Sequence, residues 1–262
     1  VSAVVLTVAA ACSDSSPRPT AAVAPAVDSE LPAHDQLRAA LQKARNTPNG
    51  GFDLDMWATV VDRSGIVVAV AFTGAKEGDQ WQGSRVISAQ KANTANAFSL
   101  PSLALSTANL YAATQPGGTL FGLQESNPVD PAVAYGGDIK DYGTERDPMT
   151  GKRIGGINVF GGGLALYASD GTLLGGLGVS GDASCADHNI AWKTRSFLGL
   201  DHVPAGVSPP PKFDNIIYDL VPGPDSVGDL VSKSGFGHPT CTPAATAISD
   251  SLPMAFPIHK KK

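Results

Sequence analysis

Apolar residues fall into two kinds of run along this chain: short β-branched stretches bounded by turn residues, and longer stretches in which they recur every three or four positions. The short kind predicts strands and the long kind predicts amphipathic helices. Asp35 to Asn46 has helical spacing, with Leu37, Leu41 and Ala44 on one stripe and Gln36, Arg38, Lys43 and Arg45 elsewhere. Thr47-Pro48-Asn49-Gly50-Gly51 breaks it. Met56 to Val61 and Ile66 to Phe72 then read as a hairpin joined by Asp62-Arg63-Ser64-Gly65. From Ser84 to Phe98 the helical period returns, with Ala89, Ala92, Ala95 and Phe98 on one side, and side chains this small let a helix lie close to a sheet. Ser99-Leu100-Pro101 ends that helix. The interval from Ser102 to Arg153, punctuated by Pro116-Gly117-Gly118, Asn127-Pro128 and Tyr135-Gly136-Gly137, reads as a short helix and long irregular loops, of a length that often carries function.

The densest signal lies between Gly161 and Trp192. Leu164 to Ala168 and Leu173 to Val179 flank Asp170-Gly171, the pattern of a type I′ hairpin turn with φ > 0 at both central positions. The second of these strands mixes glycine with bulkier residues (Leu174, Gly176, Leu177, Gly178, Val179), which leaves one face bare for another backbone or a ligand. A helix follows from Cys185 to about Leu198, with Ser184 and Asp187 spaced as a capping box. Its register puts Ala186, Ile190, Thr194, Phe197 and Leu198 on the buried face and His188, Trp192 and Arg195 on the opposite side. Beyond Leu200 one strand is expected, Asn215 to Leu220, and the remainder of the tail as irregular surface chain.

Composition narrows the class. With 262 residues, 42% hydrophobic and 16% charged, the chain can bury a substantial core. A net charge of −5 provides no basic field for a nucleic-acid backbone, and the basic run is confined to Lys260, Lys261 and Lys262. Residues 1–12 are an apolar stretch too short to span a bilayer, and 13–33 are Pro-, Ala- and Ser-rich, so these read as a signal segment and a tether. Ala9-Ala10-Ala11-Cys12 resembles a bacterial lipoprotein processing site, with plain secretion as the alternative; a lipid on Cys12 is then the sole membrane contact expected. Setting Cys12 aside leaves Cys185 and Cys241 as an even pair in an oxidising compartment. A disulfide between them is expected to stabilise by about 3–4 kcal/mol, two buried free thiols being the alternative.

Three stretches in order, VVDRSGIVVAVAFTGA, KANTANAF and GGGLALYASDGTLLGGLGVSGDASCADHNIA, resemble the GlcG/HbpS-like family of haem-binding or haem-degrading proteins. The resemblance runs from about Asp35 to Leu200, and the GFGHPTC tail and ADHNIAW wording are similar to a longer, exported branch. It implies an α+β fold, an antiparallel sheet flanked by helices in a profilin-like three-layer arrangement, with a loop-rich C-terminal tail. The division expected is a domain over 34–201 and an extension over 202–262 packed on it. It also implies a homo-oligomer whose partner is haem or a similar small molecule.

Haem needs an axial ligand, an apolar slot and polar groups for its propionates. His34 falls in the expected tether and His259 in the basic tail, so both read as solvated, and His202 reads as a cation at a helix C-terminus. His188 shares a helix face with Trp192 and Arg195, a ligand with a stacking surface and a propionate partner; the same face serves equally as a paired interface to the tail. A Cys185–Cys241 bridge would carry His238 toward His188, where the two could ligate haem or a metal, or form an inert cap. Lys91 and Thr94 match the family's Lys-Ala-x-Thr-Ala helix and read as the border of a ligand groove, a capped or solvent-facing helix side explaining them as well. The glycines of GGLGVSG lack both phosphate-loop and dinucleotide spacing, and no Gly-x-Ser-x-Gly elbow occurs. Asp62, Asp170 and Asp182 fall in turns or caps, where Asp is expected on conformational grounds. The reading is therefore an exported haem-binding protein of the bacterial envelope, with haem breakdown as a further activity and a module for another small ligand or a partner protein as the alternative.

Overall fold

The computed structural model describes residues 30–223 and 230–259; Cys12 and the expected signal segment lie outside them. The elements in chain order are α1 (His34–Arg45), β1 (Trp57–Asp62), β2 (Val67–Phe72), α2 (Ser84–Phe98), α3 (Tyr111–Thr114), α4 (Pro131–Ala134), β3 (Gly163–Tyr167), β4 (Leu173–Ser180), α5 (Ser184–Phe197), β5 (Leu220–Pro222), β6 (Leu230–Ser232) and α6 (Pro243–Ala255). β1 to β4 form one antiparallel sheet in the order β2-β1-β4-β3, and β5 pairs with β6 in a separate ribbon. The fold is α+β: α2 covers one face of the sheet, α1 and α5 cover the other, and α6 packs on the outer side of α5.

Side chains on β1 alternate as the pleat requires. Ala58 and Val60 join the core under α1 and α5, while Trp57 and Val61 join the core under α2. The bare face expected of β4 is where α2 approaches. A Cβ on Gly178 would run into the Ser88 carbonyl, and one on Gly176 into the Ala92 carbonyl, so glycine here sets the helix-to-sheet distance. Ala89, Ala92 and Ala95 on the facing stripe are fully buried. Thr59 and Ser88 bridge the same interface through their hydroxyls at 2.7 Å.

Several local expectations are corrected. Gly171 has positive φ but Asp170 does not, so the β3–β4 turn is not type I′. Ala168 N–H donates to Thr172 and Gly171 N–H donates back to Ala168, the three-residue loop in which a type I turn is followed by a left-handed glycine. The β1–β2 turn repeats this, with Gly65 at φ 75°. The Ser184/Asp187 capping box does not form: Ala183 is the N-cap of α5, and Asp187 instead accepts from the Asp182 N–H at 2.9 Å. Asn215 to Asp219 do not form the expected strand; it begins only at Leu220, and Asn215 and Ile216 instead run beside α5 and α6. The tail also contains a helix where irregular chain is expected, α6, with Pro243 in its first turn and the Thr242 hydroxyl accepting from Ala245 N–H. Leu31 and Pro32, at the end of the expected tether, are buried against the domain.

Candidate functional site

α5 leaves β4 through Gly181 and is buried on every side from Cys185 to Arg195, because the tail covers the face that the domain leaves open. That face is the paired interface to the tail. His188 has no exposed surface, and its Nε2 lies 3.1 Å from both Asn215 Oδ1 and the Ile216 N–H. Burial pushes its imidazole down to about 3, so the ring is neutral. Trp192 donates its indole N–H to the Phe256 carbonyl at 3.0 Å. Arg195 forms a bidentate pair with Asp214 at 2.6 and 2.9 Å, both fully buried. His188, Trp192 and Arg195, expected as ligand, stacking surface and propionate partner, therefore each engage a tail residue, while His188 Nδ1 and Arg195 Nε are buried without hydrogen-bond partners.

The Cys185–Cys241 disulfide is present, with 6.0 Å between Cα atoms, and it pins the tail to the first turn of α5. His238 is carried to the Gly161–Gly163 segment. Its Nδ1 lies 2.8 Å from the Pro239 carbonyl, which places the proton there and leaves Nε2 to accept from Gly161 N–H at 3.3 Å. Tyr111 and Phe160 cover the ring, with centroids at 5.2 and 6.4 Å, and only 1% of the residue is exposed. Below this lid, Lys91 Nζ donates to Asp187 Oδ2 at 2.7 Å and to the Val179 carbonyl at 3.2 Å. Burial raises the Asp187 carboxyl to about 6, opposed by Lys91. Thr94 is fully buried: its hydroxyl donates to the Gln90 carbonyl and accepts from Asn158 N–H, which ties the Gly155–Phe160 segment to α2. The glycine segment is closed by the tail, and His238 acts as its plug.

Three histidines set aside on sequence grounds fall in defined places. His34 opens α1, with Nδ1 on Asp35 and Nε2 on the Gly143 carbonyl. It forms a group with Asp35 and Glu145 whose ligand atoms lie within 4.8 Å, but both ring nitrogens are already taken. His202 and His259 are brought face to face, with ring centroids at 5.5 Å and 32° between planes. Together they line a cavity of about 510 Å³ walled by Pro101, Val203, Pro204, Pro211, Phe213 and Ile258. His259 Nδ1 donates to Asp201 Oδ1 at 2.7 Å, while Asp201 Oδ2 and His202 Nδ1 are buried without hydrogen-bond partners. Asp201 is itself fixed by a backbone bridge to Tyr167 at the free edge of β3. The sequence signal for this pair is slight, since the two histidines stand at opposite ends of the tail and only its fold unites them.

The family model described as "Haem degrading protein HbpS-like" matches residues 32–195. Among solved structures, a PduOC–haem complex is similar over 64% of this chain and 94% of its own, at 25% identity and a TM-score of 0.44. The Klebsiella pneumoniae protein ORFY is similar over 63% and 86%, at 23% identity and a TM-score of 0.43. HbpS is similar over 73% and 99%, at 17% identity and a TM-score of 0.35. No curated protein matches the chain.

Proposed function

The chain belongs to the HbpS-like family of haem-degrading proteins, and from that premise we propose that it is a haem-binding protein, exported, tethered to the bacterial envelope through Cys12, and working as a homo-oligomer. The observation that carries haem binding is the family match over residues 32–195. Export is supported by the Cys185–Cys241 bridge, a bond that persists in oxidising compartments, and by the apolar segment of residues 1–12 with the Pro-, Ala- and Ser-rich stretch that follows it. Bound haem supplies a redox-active iron with axial positions for protein or small ligands.

What this chain must supply is a lone pair on an oriented imidazole, and an apolar slot beside it. His188 fails on access, because its ring is sealed under the 214–216 segment and Nε2 is taken. His238 has a suitable tautomer but is sealed under Tyr111 and Phe160. The donors at the apolar cavity fit: two imidazoles, one oriented by a carboxylate, beside proline, valine and phenylalanine walls. The test of binding is to load the full chain with haemin, pass it through gel filtration and measure co-eluting haem as the pyridine haemochrome. One haem per chain is expected; elution of all haem free of protein overturns the proposal.

A further inference from the structure

We infer that the haem slot of this chain is the proline-walled cavity beyond β3, with His259 as the iron ligand, an inference that rests on the haem reading above. The family-matched domain supplies one side of this cavity, Pro101 and Gly171 beside the edge of β3, and the tail supplies the other, from Val203 through Phe213 to His259. A volume of about 510 Å³ lies within the roughly 300–1,000 Å³ typical of small-molecule and cofactor sites.

His259 is set up as a metal ligand. Its Nδ1–H donates to Asp201 Oδ1 at 2.7 Å, so the second nitrogen, Nε2, carries the lone pair. A carboxylate behind an imidazole fixes the ring and raises its basicity as a donor. Asp201 can hold that position because its side chain is 2% exposed and its backbone bridges to Tyr167. His259, by contrast, is 58% exposed at the side chain, so its free nitrogen is reachable without unfolding any element. Coordination donates the Nε2 lone pair to iron; the Nδ1 proton stays on the His259–Asp201 bond, and no other bond is made or broken.

His202 supplies the second observation. It is 8% exposed, lines the same cavity, lies against the His259 ring, and its Nδ1 has no partner among the described residues. A buried imidazole nitrogen without a partner is a polar group the fold alone does not satisfy. The remaining walls are apolar, as a macrocycle face requires.

The test is a Soret-detected haemin titration of the full chain and of His259→Gly, His202→Ala and His238→Ala. A saturable red-shifted band is expected in the wild type and in His238→Ala, with apparent affinity at least tenfold weaker in His259→Gly and recovered on adding free imidazole. Imidazole rescue is a signature that a purely structural histidine does not give. In Asp201→Asn the band is retained, but the iron–histidine stretch of the ferrous form moves to lower frequency. A wild-type band that persists unchanged in His259→Gly and His202→Ala, or that vanishes in His238→Ala alone, overturns the slot assignment and leaves haem binding standing. Absence of any saturable band in the wild type overturns both.

Discussion

Burial keeps His188 and His238 neutral, with their imidazoles pushed down to about 3 and about 4, whereas each protonates near 6.5 in the unfolded chain. Between these values the unfolded state binds more protons than the folded one, so stability is fully present above pH 6.5 and falls as the pH drops. Each histidine contributes a loss of about 2 kcal/mol between pH 7 and pH 5 by this linkage. Asp187 works in the opposite sense, since burial raises its carboxyl to about 6 and the fold gains a proton there; its offset is about 1 kcal/mol at pH 5. Urea midpoints measured at both pH values are expected to show the net loss and a shallower dependence in His188→Gln. A profile rising toward pH 5 contradicts it. At the other end of α5, Asp214→Asn leaves the Arg195 guanidinium buried and uncompensated, and a loss of about 3–5 kcal/mol is expected in chemical denaturation. Replacing Arg195 and Asp214 together by Met and Leu should recover most of it.

Between elements, the contact of α2 with β4 depends on the absence of two methyl groups. Gly178→Ala places a Cβ against the Ser88 carbonyl, where the obstacle is helix backbone and not a movable side chain, so α2 must lift from the sheet. A loss of about 1–3 kcal/mol, as for an overpacked core, is expected from thermal unfolding, with Gly199→Ala, which meets open space but keeps a positive φ, less affected. Cys185→Ser with Cys241→Ser frees a tail closed over 56 residues, and the chain-entropy relation puts the loss at about 4 kcal/mol. β1 to β4, α1, α2 and α5 are legible because their apolar residues pack into the two cores on either side of one sheet, so local periodicity and tertiary burial agree. Thr242-Pro243 before an alanine-rich run is a helix start, but Pro239 and Pro253 on either side give the segment the composition of irregular chain, so α6 is not legible from the sequence. Asp170-Gly171 does not by itself separate a type I′ turn from a three-residue loop, because a left-handed glycine completes both. The cysteine pair carries His238 to the Gly161–Gly163 segment, but the closure of His188 under Asn215 and of His238 under Tyr111 depends on contacts no local pattern encodes. The same holds for His202 and His259.

For the whole molecule, the tail is part of the core that the domain cannot complete alone. Removing 202–262 strips Asp214 from Arg195, Asn215 from His188 and the Phe256 carbonyl from Trp192, leaving polar groups of α5 unpaired and its apolar surface bare. A chain ending at residue 201 is expected to bind a hydrophobic dye and to lose its cooperative unfolding transition; a sharp transition equal to that of the full chain contradicts this. The tail therefore both closes the glycine segment through His238 and lines the outer cavity through His202 and His259. For the proposed tether, labelled palmitate is expected to enter the chain expressed in a bacterial host and to be lost in Cys12→Ser, whereas equal labelling of both removes it. Haem binding is tested by a photometric titration of the 262-residue chain with haemin. A Soret change that saturates at one equivalent per chain is the expected result, and a change that stays linear past several equivalents, as for adsorbed haem, contradicts it.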